Sequence, residues 1–396
     1  MNVVVVGVGY VGLITGLSLA KLGNKITFLD TDKSKIDQLI LGISTFQEPE
    51  LEDYLNDSKI SNKVIYLDSY EAVNWDDCDV VLVCVQTPTN DSGQVNSKFI
   101  SNVFNSINGK VSKNSVICVK STIHPIALKD VINETNINFD NLVFNPEFLR
   151  EGSAFFDFFN PDRIVVGSNN LKHSEIIASL YKNLDSELVF TDPISSQLIK
   201  YLSNTYLPMR LSFVNEAIRL SDALNANFSD VLRGIGLDAR IGDNYFRPSP
   251  GWGGSCFPKD VKEVNSLSEF SNLSLPIINA ISESNDSHQL WFSEKLISLM
   301  ISNNLERVCL LGGAFKENTD DTRYSPTFNI YNILVKEDVE VSIYDPNLDL
   351  PNEFNQIETV DNNSLFVEMY PLGETFDTIK NTINTLSNFV YFKIWD

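Results

Sequence analysis

The chain has 396 residues, which is long for one hydrophobic core and predicts two or three domains. A hydrophobic fraction of 43% is that of an ordinary globular protein, and no apolar run approaches the roughly 18 residues that cross a bilayer. The formal charge of −22 argues against nucleic acid and anionic membranes as partners, because both would repel the chain at long range.

The cysteines and the N-terminal residues predict a reduced, cytoplasmic protein. No N-terminal stretch combines a basic start, an apolar run and a small-residue cleavage site. The five cysteines are odd in number and widely spaced, and most lie in apolar strand-like runs, which is typical of core thiols rather than of a disulfide framework. The histidines are scattered along the chain, so the sequence predicts no metal site.

A dinucleotide fingerprint follows the first predicted strand, at residues 2–7. Gly7, Gly9 and Gly12 then lead into an amphipathic helix. In this motif the first glycine allows a tight turn, the second lets a pyrophosphate approach the backbone, and the third lets helix and strand pack closely. The next predicted strand ends at Asp30, where a carboxylate binds a ribose diol and repels a 2′-phosphate, which favours NAD over NADP.

Further strands are predicted at residues 64–67, 79–85, 115–119, 142–144 and 164–167. Hydroxyl-rich turns follow two of these strands and contain Thr87, Thr89, Ser121 and Thr122. Ligands of an open parallel sheet bind outside the carboxyl ends of its strands, so we expect these hydroxyls to meet the cofactor or a reacting group. Taken singly, each also fits ordinary turn chemistry.

Two pairs of polar side chains suit acid–base chemistry. Glu147 and Glu151 lie four residues apart, a spacing that can position a water or hold sugar hydroxyls but also fits a solvated helix face. Lys200 and Asn204 share one face of a long predicted helix, where they can polarise an oxygen and fix a water. Pro208 cannot donate a helix bond, so we predict a kink or a local opening beside Asn204.

One cysteine lies in a polar, glycine-rich segment, Gly-Trp-Gly-Gly-Ser-Cys-Phe-Pro-Lys-Asp at residues 251–260. Pro258 suits the start of a helix, which predicts that Cys256 lies at a helix N-terminus. The helix dipole and Lys259 both favour a thiolate there. Cys256 is therefore a candidate nucleophile, and the alternative is an inert buried thiol.

The alternation of strands and helices resumes near residue 307 and predicts a second, smaller nucleotide-type unit without a full glycine fingerprint. Lys316 and Arg323 lie in the loop after its first strand, and in so acidic a chain they are candidate phosphate ligands. Beyond residue 346 only 389–394 is typical of a strand.

The order of these motifs resembles that of the UDP-glucose/GDP-mannose dehydrogenase family. The matching stretches, at 7–12, 86–89, 120–122, 145–152, 200–204, 238–242, 251–260 and 314–323, follow one another as in that family. The resemblance implies an α/β fold with two Rossmann-like parallel-sheet domains, joined by a long central helix and a helical dimerisation region. It implies an NAD-binding domain at 1–190, a central helical domain at 191–302 and a UDP-sugar-binding domain at 303–396.

The resemblance also implies an activity, the oxidation of the C6 alcohol of a nucleotide sugar to a carboxylate with two NAD and water. Cys256 would attack the aldehyde formed by the first hydride transfer, and the thiohemiacetal would lose a second hydride to give a thioester. The residues implied to hold the oxyanion and a water are Lys200, Asn204 and Asp260. The residues implied to serve that water during hydrolysis are Thr122 and Glu147.

The same resemblance implies the residues of both binding pockets. Beside Cys256, those at NAD are Gly7, Gly9, Tyr10, Val11, Gly12, Asp30, Lys35, Thr87, Thr89, Ser121, Thr122, Glu151, Lys259 and Arg323. Those at the nucleotide sugar are Glu147, Phe148, Leu149, Arg150, Glu151, Lys200, Asn204, Tyr245, Arg247, Ser249, Gly253 and Lys316, with Arg240 reaching in from the other subunit of a homodimer.

Several alternatives for the substrate and for the class of protein stay open. The sequence Cys-Phe-Pro-Lys-Asp beside Asp-Ala-Arg-Ile-Gly favours UDP-glucose, and GDP-mannose or an N-acetylated UDP-hexose are alternatives. An alternative of another class is a non-catalytic nucleotide-sugar-binding protein. The presence of Cys256, Lys200 and Asn204 together argues against it.

Overall fold

The computed structural model describes residues 1–89, 95–135, 137–139, 142–350, 354 and 360–395. The chain divides into two compact units, Met1–Leu202 and Ser203–Asp396. The bounds of the three domains expected from the sequence, 1–190, 191–302 and 303–396, stay a prediction. Within the described ranges, no helix combines the length and the apolar character that crossing a bilayer requires.

The first unit is built on an eight-stranded sheet with the order β3-β2-β1-β4-β5-β6-β7-β8. Neighbouring strands are parallel except for β6 and β7, which are antiparallel. The order of the first six strands is that of a dinucleotide-binding sheet. The strands are β1 (Asn2–Val6), β2 (Lys25–Leu29), β3 (Val64–Leu67), β4 (Val80–Val83), β5 (Val116–Val119), β6 (Leu142–Phe144), β7 (Arg163–Gly167) and β8 (Glu187–Thr191).

Helices cover this sheet on both faces. Side chains of β1 alternate between two apolar clusters, with Val3 and Val5 in one and Val4 and Val6 in the other, as expected for a strand buried on both sides. The helices are α1 (Tyr10–Lys21), α2 (Lys33–Ile40), α3 (Leu51–Asn56), α4 (Ser58–Ser61), α5 (Lys98–Ile107), α6 (Pro125–Thr135), α7 (Ala154–Phe159) and α8 (Leu171–Leu180).

The second unit combines helices with a four-stranded parallel sheet of order β10-β9-β11-β12. Its strands are β9 (Arg307–Leu311), β10 (Glu340–Tyr344), β11 (Ser364–Glu368) and β12 (Phe389–Phe392). The helices are α9 (Pro193–Ala223), inside which the division between the units falls, α10 (Phe228–Gly236), α11 (Phe257–Phe270), α12 (Pro276–Ser302), α13 (Pro326–Lys336) and α14 (Asp377–Ile383).

The predicted fold class is confirmed, with two sheets dominated by parallel strands and a long helix between them in the chain. The sequence reading did not identify β8 and β11, although β11 lies between β9 and β12 in the second sheet. The helix α9 passes through Pro208 without a break, and the kink or local opening expected beside Asn204 stays a prediction.

A buried histidine joins two elements of the second unit. His288 in α12 is fully buried, its Nε2 atom lies 2.8 Å from the carbonyl oxygen of Ser249, and its ring stacks on Trp291. Burial lowers the pKa of His288 to about 4, and the nearby charge of Arg219 acts in the same direction. The imidazole is therefore neutral at pH 7, with Nε2–H donating to the carbonyl.

We expect acid to destabilise this unit through His288. The pKa of about 4 in the folded chain lies below the ordinary value of 6.5, so the unfolded chain takes up the proton first as the pH falls. The contribution is complete above pH 6.5 and is lost between about pH 6.5 and 4, which amounts to about 2 kcal/mol between pH 7 and 5.

Chemical denaturation of the wild type and of His288→Gln at both pH values measures this. The variant should lose about 2 kcal/mol less than the wild type on going from pH 7 to 5. Equal losses in the two proteins would show that His288 is not the responsible group.

Candidate active site

The three fingerprint glycines differ in what surrounds them. Gly7 has φ +92°, and a Cβ there would lie 2.7 Å from the carbonyl oxygen of Cys84. A Cβ on Gly12 would lie 2.0 Å from the carbonyl oxygen of Gly7, so helix α1 packs directly on the turn. A Cβ on Gly9 would meet nothing within 4 Å. The first and third glycines are thus needed for the fold, whereas the second faces open space at the N-terminus of α1.

Asp30 lies at the end of β2 and contacts the same turn. Its Oδ2 atom accepts a hydrogen bond of 2.8 Å from the backbone N–H of Val8, and its Oδ1 atom accepts one of 3.0 Å from Asp32. Lys35 lies 3.6 Å from this carboxylate. An open glycine at a helix N-terminus beside a strand-end acid fits the pyrophosphate and the ribose diol of NAD.

The predicted hydroxyl groups bond to backbone. Thr87 donates to the carbonyl oxygen of Thr122 at 2.7 Å, and Ser121 donates to that of Val85 at 2.6 Å. Thr89 belongs to a β-bridge. These bonds hold the loops after β4 and β5 together. Contact of Thr87, Thr89, Ser121 and Thr122 with the cofactor stays a prediction.

Glu147 and Lys200 form a nearly buried ion pair in the first unit, with Nζ 2.8 Å from Oε1 and side chains that are 10% and 5% exposed. The second carboxylate oxygen of Glu147 accepts a bond of 2.6 Å from the backbone N–H of Leu149. The ring of Phe148 lies 3.6 Å from the guanidinium of Arg163 and 5.4 Å from the ammonium of Lys200. The structure thus joins two motifs that are about fifty residues apart in sequence.

A small cavity next to this pair is lined in part by Gln197, a residue that the sequence analysis did not single out. Its lining includes Thr122, Lys200, Tyr201 and Gln197. The side chain of Gln197 is buried, and its Nε2 atom donates to the carbonyl oxygen of Pro193 at 2.9 Å. Its Oε1 atom is buried and has no hydrogen-bond partner within the described part of the chain.

Lys120 was also missed, and it fixes the loop that carries Glu147. Its buried ammonium donates to the carbonyl oxygen of Asn145 at 3.1 Å and to its side-chain oxygen at 3.0 Å. Tyr181 donates to the same side-chain oxygen at 2.6 Å, and Asn145 donates to the carbonyl oxygen of Val165 at 2.8 Å. These bonds tie the ends of β5 and β6 to β7 and α8.

In the second unit, Cys256 lies where the sequence predicts, immediately before helix α11. It is exposed, whereas the other four cysteines, Cys78, Cys84, Cys118 and Cys309, are buried. The sulfur lies 3.6 Å from the hydroxyl oxygen of Ser255. A thiol at this position faces the positive end of the helix dipole, and the alternative of a buried thiol is wrong.

Three charged side chains, of which the two carboxylates are buried, lie on the first turns of α11. Lys259 contacts Asp260 directly and lies 3.3 Å from Glu263, and both carboxylates are almost fully buried. Burial lowers the pKa of Lys259, but Asp260 and Glu263 outweigh it, so the pKa of Lys259 lies above its ordinary value. Asn204 donates a 2.6 Å hydrogen bond to Asp260. Of the predicted group of Lys200, Asn204 and Asp260, the last two are therefore in contact, and the cation beside Asp260 is Lys259, whereas Lys200 pairs with Glu147.

The glycines before Cys256 allow close packing within the second unit. A Cβ on Gly253 would lie 2.0 Å from the carbonyl oxygen of Tyr324, and Gly254 has φ +86° with the ring of Phe315 against it. Trp252, which precedes them, is fixed in place because its backbone exchanges two 3.0 Å bonds with the side chain of Asn285. These contacts fix the segment that leads into α11.

The remaining predicted binding residues lie at several separate places in the two units. The guanidinium of Arg240 is exposed and pairs with Asp238, and that of Arg323 pairs with Asp321. Arg247 lies 4.7 Å from the ring of Trp395, Lys316 lies 5.4 Å from the ring of Phe315, and the hydroxyl of Ser249 donates to Gly251. Arg150 pairs with Asp157, Glu151 is partly buried, and Tyr245 has φ +55°.

The second unit, like the first, has an acid after a strand that accepts a bond from the backbone of a turn. Asp345 follows β10 and accepts a 2.8 Å bond from the backbone N–H of Gly313, as Asp30 does from Val8. Unlike Asp30, Asp345 is buried, and Tyr370 donates to the same oxygen at 3.0 Å.

Comparison with known sequences agrees with this geometry. Three profiles of the UDP-glucose/GDP-mannose dehydrogenase family match: its NAD binding domain at residues 1–185, its central domain at 194–287 and its UDP binding domain at 309–371. The chain belongs to this family. It is therefore an NAD-dependent oxidoreductase with a domain of the UDP-binding type.

Three relatives of this dehydrogenase have names that state a nucleotide sugar. A UDP-glucose 6-dehydrogenase of Rickettsia felis is 36% identical over 353 residues, which cover 87% of this chain and 78% of the relative. A UDP-glucose dehydrogenase structure from Pyrobaculum islandicum superposes with a TM-score of 0.85 at 26% identity, covering 100% and 97% of the two chains. The UDP-N-acetyl-mannosamine dehydrogenase structure from Staphylococcus aureus has a TM-score of 0.79 at 25% identity, covering 100% and 98%.

Replacing Gly9 by alanine is expected to weaken NAD binding to the dehydrogenase by roughly tenfold or more, because the methyl group would occupy the space open to the pyrophosphate. The fold should be unaffected, since φ −84° and ψ −167° suit alanine. Calorimetric titration with NAD and thermal unfolding measure the two effects.

Gly373→Ala is a matched control for this substitution. Gly373 has φ −77° and ψ −172°, and nothing lies within 4 Å of a Cβ there. It should keep both the affinity and the melting temperature of the wild type. Unchanged NAD affinity in Gly9→Ala would contradict the assigned position of the pyrophosphate.

Proposed function

We propose that this enzyme oxidises UDP-glucose to UDP-glucuronate with two NAD and one water. The observation that carries the proposal is the exposed thiol of Cys256 at the N-terminus of α11, next to Lys259. The names of the relatives favour UDP-glucose as the sugar. A primary alcohol, two NAD⁺ and one water give a carboxylate, two NADH and three protons.

Cys256 acts as the covalent nucleophile. Its thiolate adds to the C6 aldehyde, and the resulting thiohemiacetal loses hydride to leave a thioester on the sulfur. The covalent bond prevents the aldehyde from escaping between the two oxidations. The positive charge of Lys259 and the dipole of α11 stabilise the thiolate before attack.

Five polar side chains are assigned the remaining tasks. Asn204 donates a hydrogen bond to the oxyanion that forms at C6, and Asp260 holds the water that enters the thioester. Lys200 stabilises developing negative charge on oxygen. Glu147, which is already paired with Lys200, accepts a proton from that water, and the hydroxyl of Thr122 orients it.

NAD supplies the hydride acceptor, and the chain's residues supply its binding. Gly9 and the first turn of α1 would receive the pyrophosphate, and the carboxylate of Asp30 would receive the adenine-ribose diol.

The nucleotide sugar is held by both polar and aromatic groups. We assign the diphosphate to Lys316 and Arg247, and the sugar to the segment 147–151 together with Arg240 from a second copy of the chain. UDP-N-acetylmannosamine is a second candidate substrate, because a dehydrogenase of that name has the same fold over the full length of this chain. Location in the cytoplasm stays a prediction of the sequence.

A row of exposed apolar side chains on α9 supports a homodimer. Tyr206, Phe213, Leu220 and Leu224 are all more than half exposed and follow one another at spacings of seven, seven and four residues. Such spacing places them on one stripe of the helix, which is the pattern of a helix that packs against a second helix.

NADH formed per mole of sugar tests the reaction. We expect two equivalents with UDP-glucose and a lower kcat/KM with UDP-N-acetylmannosamine and GDP-mannose, measured by NADH absorbance. Turnover of UDP-N-acetylmannosamine alone would identify the second candidate as the substrate. No NADH with any nucleotide sugar would leave only a binding protein.

Cys256→Ser is expected to lower kcat by roughly 10³-fold or more, because a neutral hydroxyl is a far weaker nucleophile than a thiolate. A mass shift of the quenched wild-type protein, removed by the substitution, would identify the thioester. Ser255→Ala, next to the sulfur, is the matched control and should turn over within a few-fold of the wild type. Normal turnover by Cys256→Ser contradicts the covalent route.

Phe213→Glu is expected to convert a dimer into a monomer, since a charge would be buried in the apolar interface. Sedimentation equilibrium measures the change. Phe270→Glu makes the same chemical change at another exposed phenylalanine, outside α9, and should leave the dimer intact. A dimer that persists in Phe213→Glu places the interface elsewhere.

A further inference from the structure

One buried carboxylate joins two segments of the first unit that are far apart in sequence. Glu48 lies in the loop between α2 and α3 and is 7% exposed. Its Oε2 atom accepts a bond of 2.8 Å from the hydroxyl of Tyr10 and one of 2.7 Å from the backbone N–H of Gly152. Its Oε1 atom accepts a bond of 2.7 Å from the backbone N–H of Ala154.

The two joined segments are those assigned to the two ligands. Tyr10 is the first residue of α1 and directly follows Gly9 of the dinucleotide turn. Gly152 and Ala154 end the segment that carries Glu147 and Glu151. The hydroxyl of Tyr10 also lies 3.3 Å from the carbonyl oxygen of Arg150, so the phenol contacts this segment a second time.

The hydrogen bond between Tyr10 and Glu48 needs a protonated phenol and a carboxylate that accepts from it. Burial, together with the nearby charge of Glu48, raises the pKa of Tyr10 above its ordinary value, so the phenol keeps its proton and donates. A buried carboxylate needs its donors, because an unsatisfied charge inside a protein is strongly unfavourable. Movement of Tyr10 therefore weakens the hold of Glu48 on the turn at Gly152, which has φ +82°.

We propose that Glu48 is a positioning residue that couples the binding of NAD to the binding of the nucleotide sugar. A pyrophosphate at Gly9 fixes the start of α1 and with it Tyr10. The fixed phenol completes the set of donors around Glu48, and this orders residues 150–154 for the sugar. Coupling is reciprocal, so the sugar tightens NAD by the same factor. The identity of the second ligand rests on the proposed function, whereas the response of residues 150–154 to NAD does not.

Calorimetric titrations with NADH in the Cys256→Ser background test the coupling, because UDP-glucose has no hydride acceptor when only NADH is present. The parent should bind NADH about fivefold or more tightly when saturated with UDP-glucose. In Glu48→Gln and in Tyr10→Phe this ratio should fall to near one. Tyr10→Phe is the milder change, because it leaves both backbone bonds of Glu48 intact. Glu50→Gln, an exposed acid of the same loop, is the matched control and should keep the parental ratio.

Hydrogen exchange with NAD alone gives a readout that does not depend on the sugar. NAD should slow exchange of the amides of residues 150–154 in the parent and in Glu50→Gln, but not in Glu48→Gln or Tyr10→Phe. Absence of protection in the parent, or equal protection in all four proteins, overturns the proposal. Protection by NAD without any binding of UDP-glucose would instead overturn the proposed substrate and leave the role of Glu48 standing.

Discussion

Parallel strand pairing is the constraint on which the first unit depends. Parallel strands end at a common edge, so the residues that follow β1, β2, β4, β5 and β6 are brought together although more than a hundred positions separate them in sequence. Gly7, Asp30 and Glu147 each follow one of these strands. The strands are buried on both faces, which leaves the loops at this edge as the place where polar chemistry is accessible.

The sequence predicted whatever is encoded locally. The buried strands of the first unit, the glycine turn and the helix start at Cys256 each depend on neighbours in the chain, and they were found from pattern alone. The contacts of Glu48 and Lys120 were not, because their partners lie 106 and 25 residues away along the chain. The strand β11 was missed for a related reason, since its five residues alone do not distinguish a strand from any short apolar run.

Electrostatics bears on the thiolate proposed at Cys256. With a net charge of −22, the long-range potential of the chain opposes a thiolate and any anionic ligand. Locally the sign reverses at α11. There Lys259 is held in its charged form by Asp260 and Glu263, while the helix N-terminus adds its own positive potential next to Cys256. Burial of the two carboxylates ties the position of the cation to the fold itself.

A hydrogen bond between Tyr370 and Asp345 distinguishes the strand-end acid of the second unit from that of the first. Both units keep an acid at the end of a strand, bonded to the turn after the preceding strand, yet only Asp30 is left with surface for a diol. A phenol covers its counterpart. In the C-terminal scaffold the buried carboxylate of Asp345 is engaged by Tyr370 and by the backbone N–H groups of Gly313 and Asn347, so it presents no open acceptor to a ribose diol.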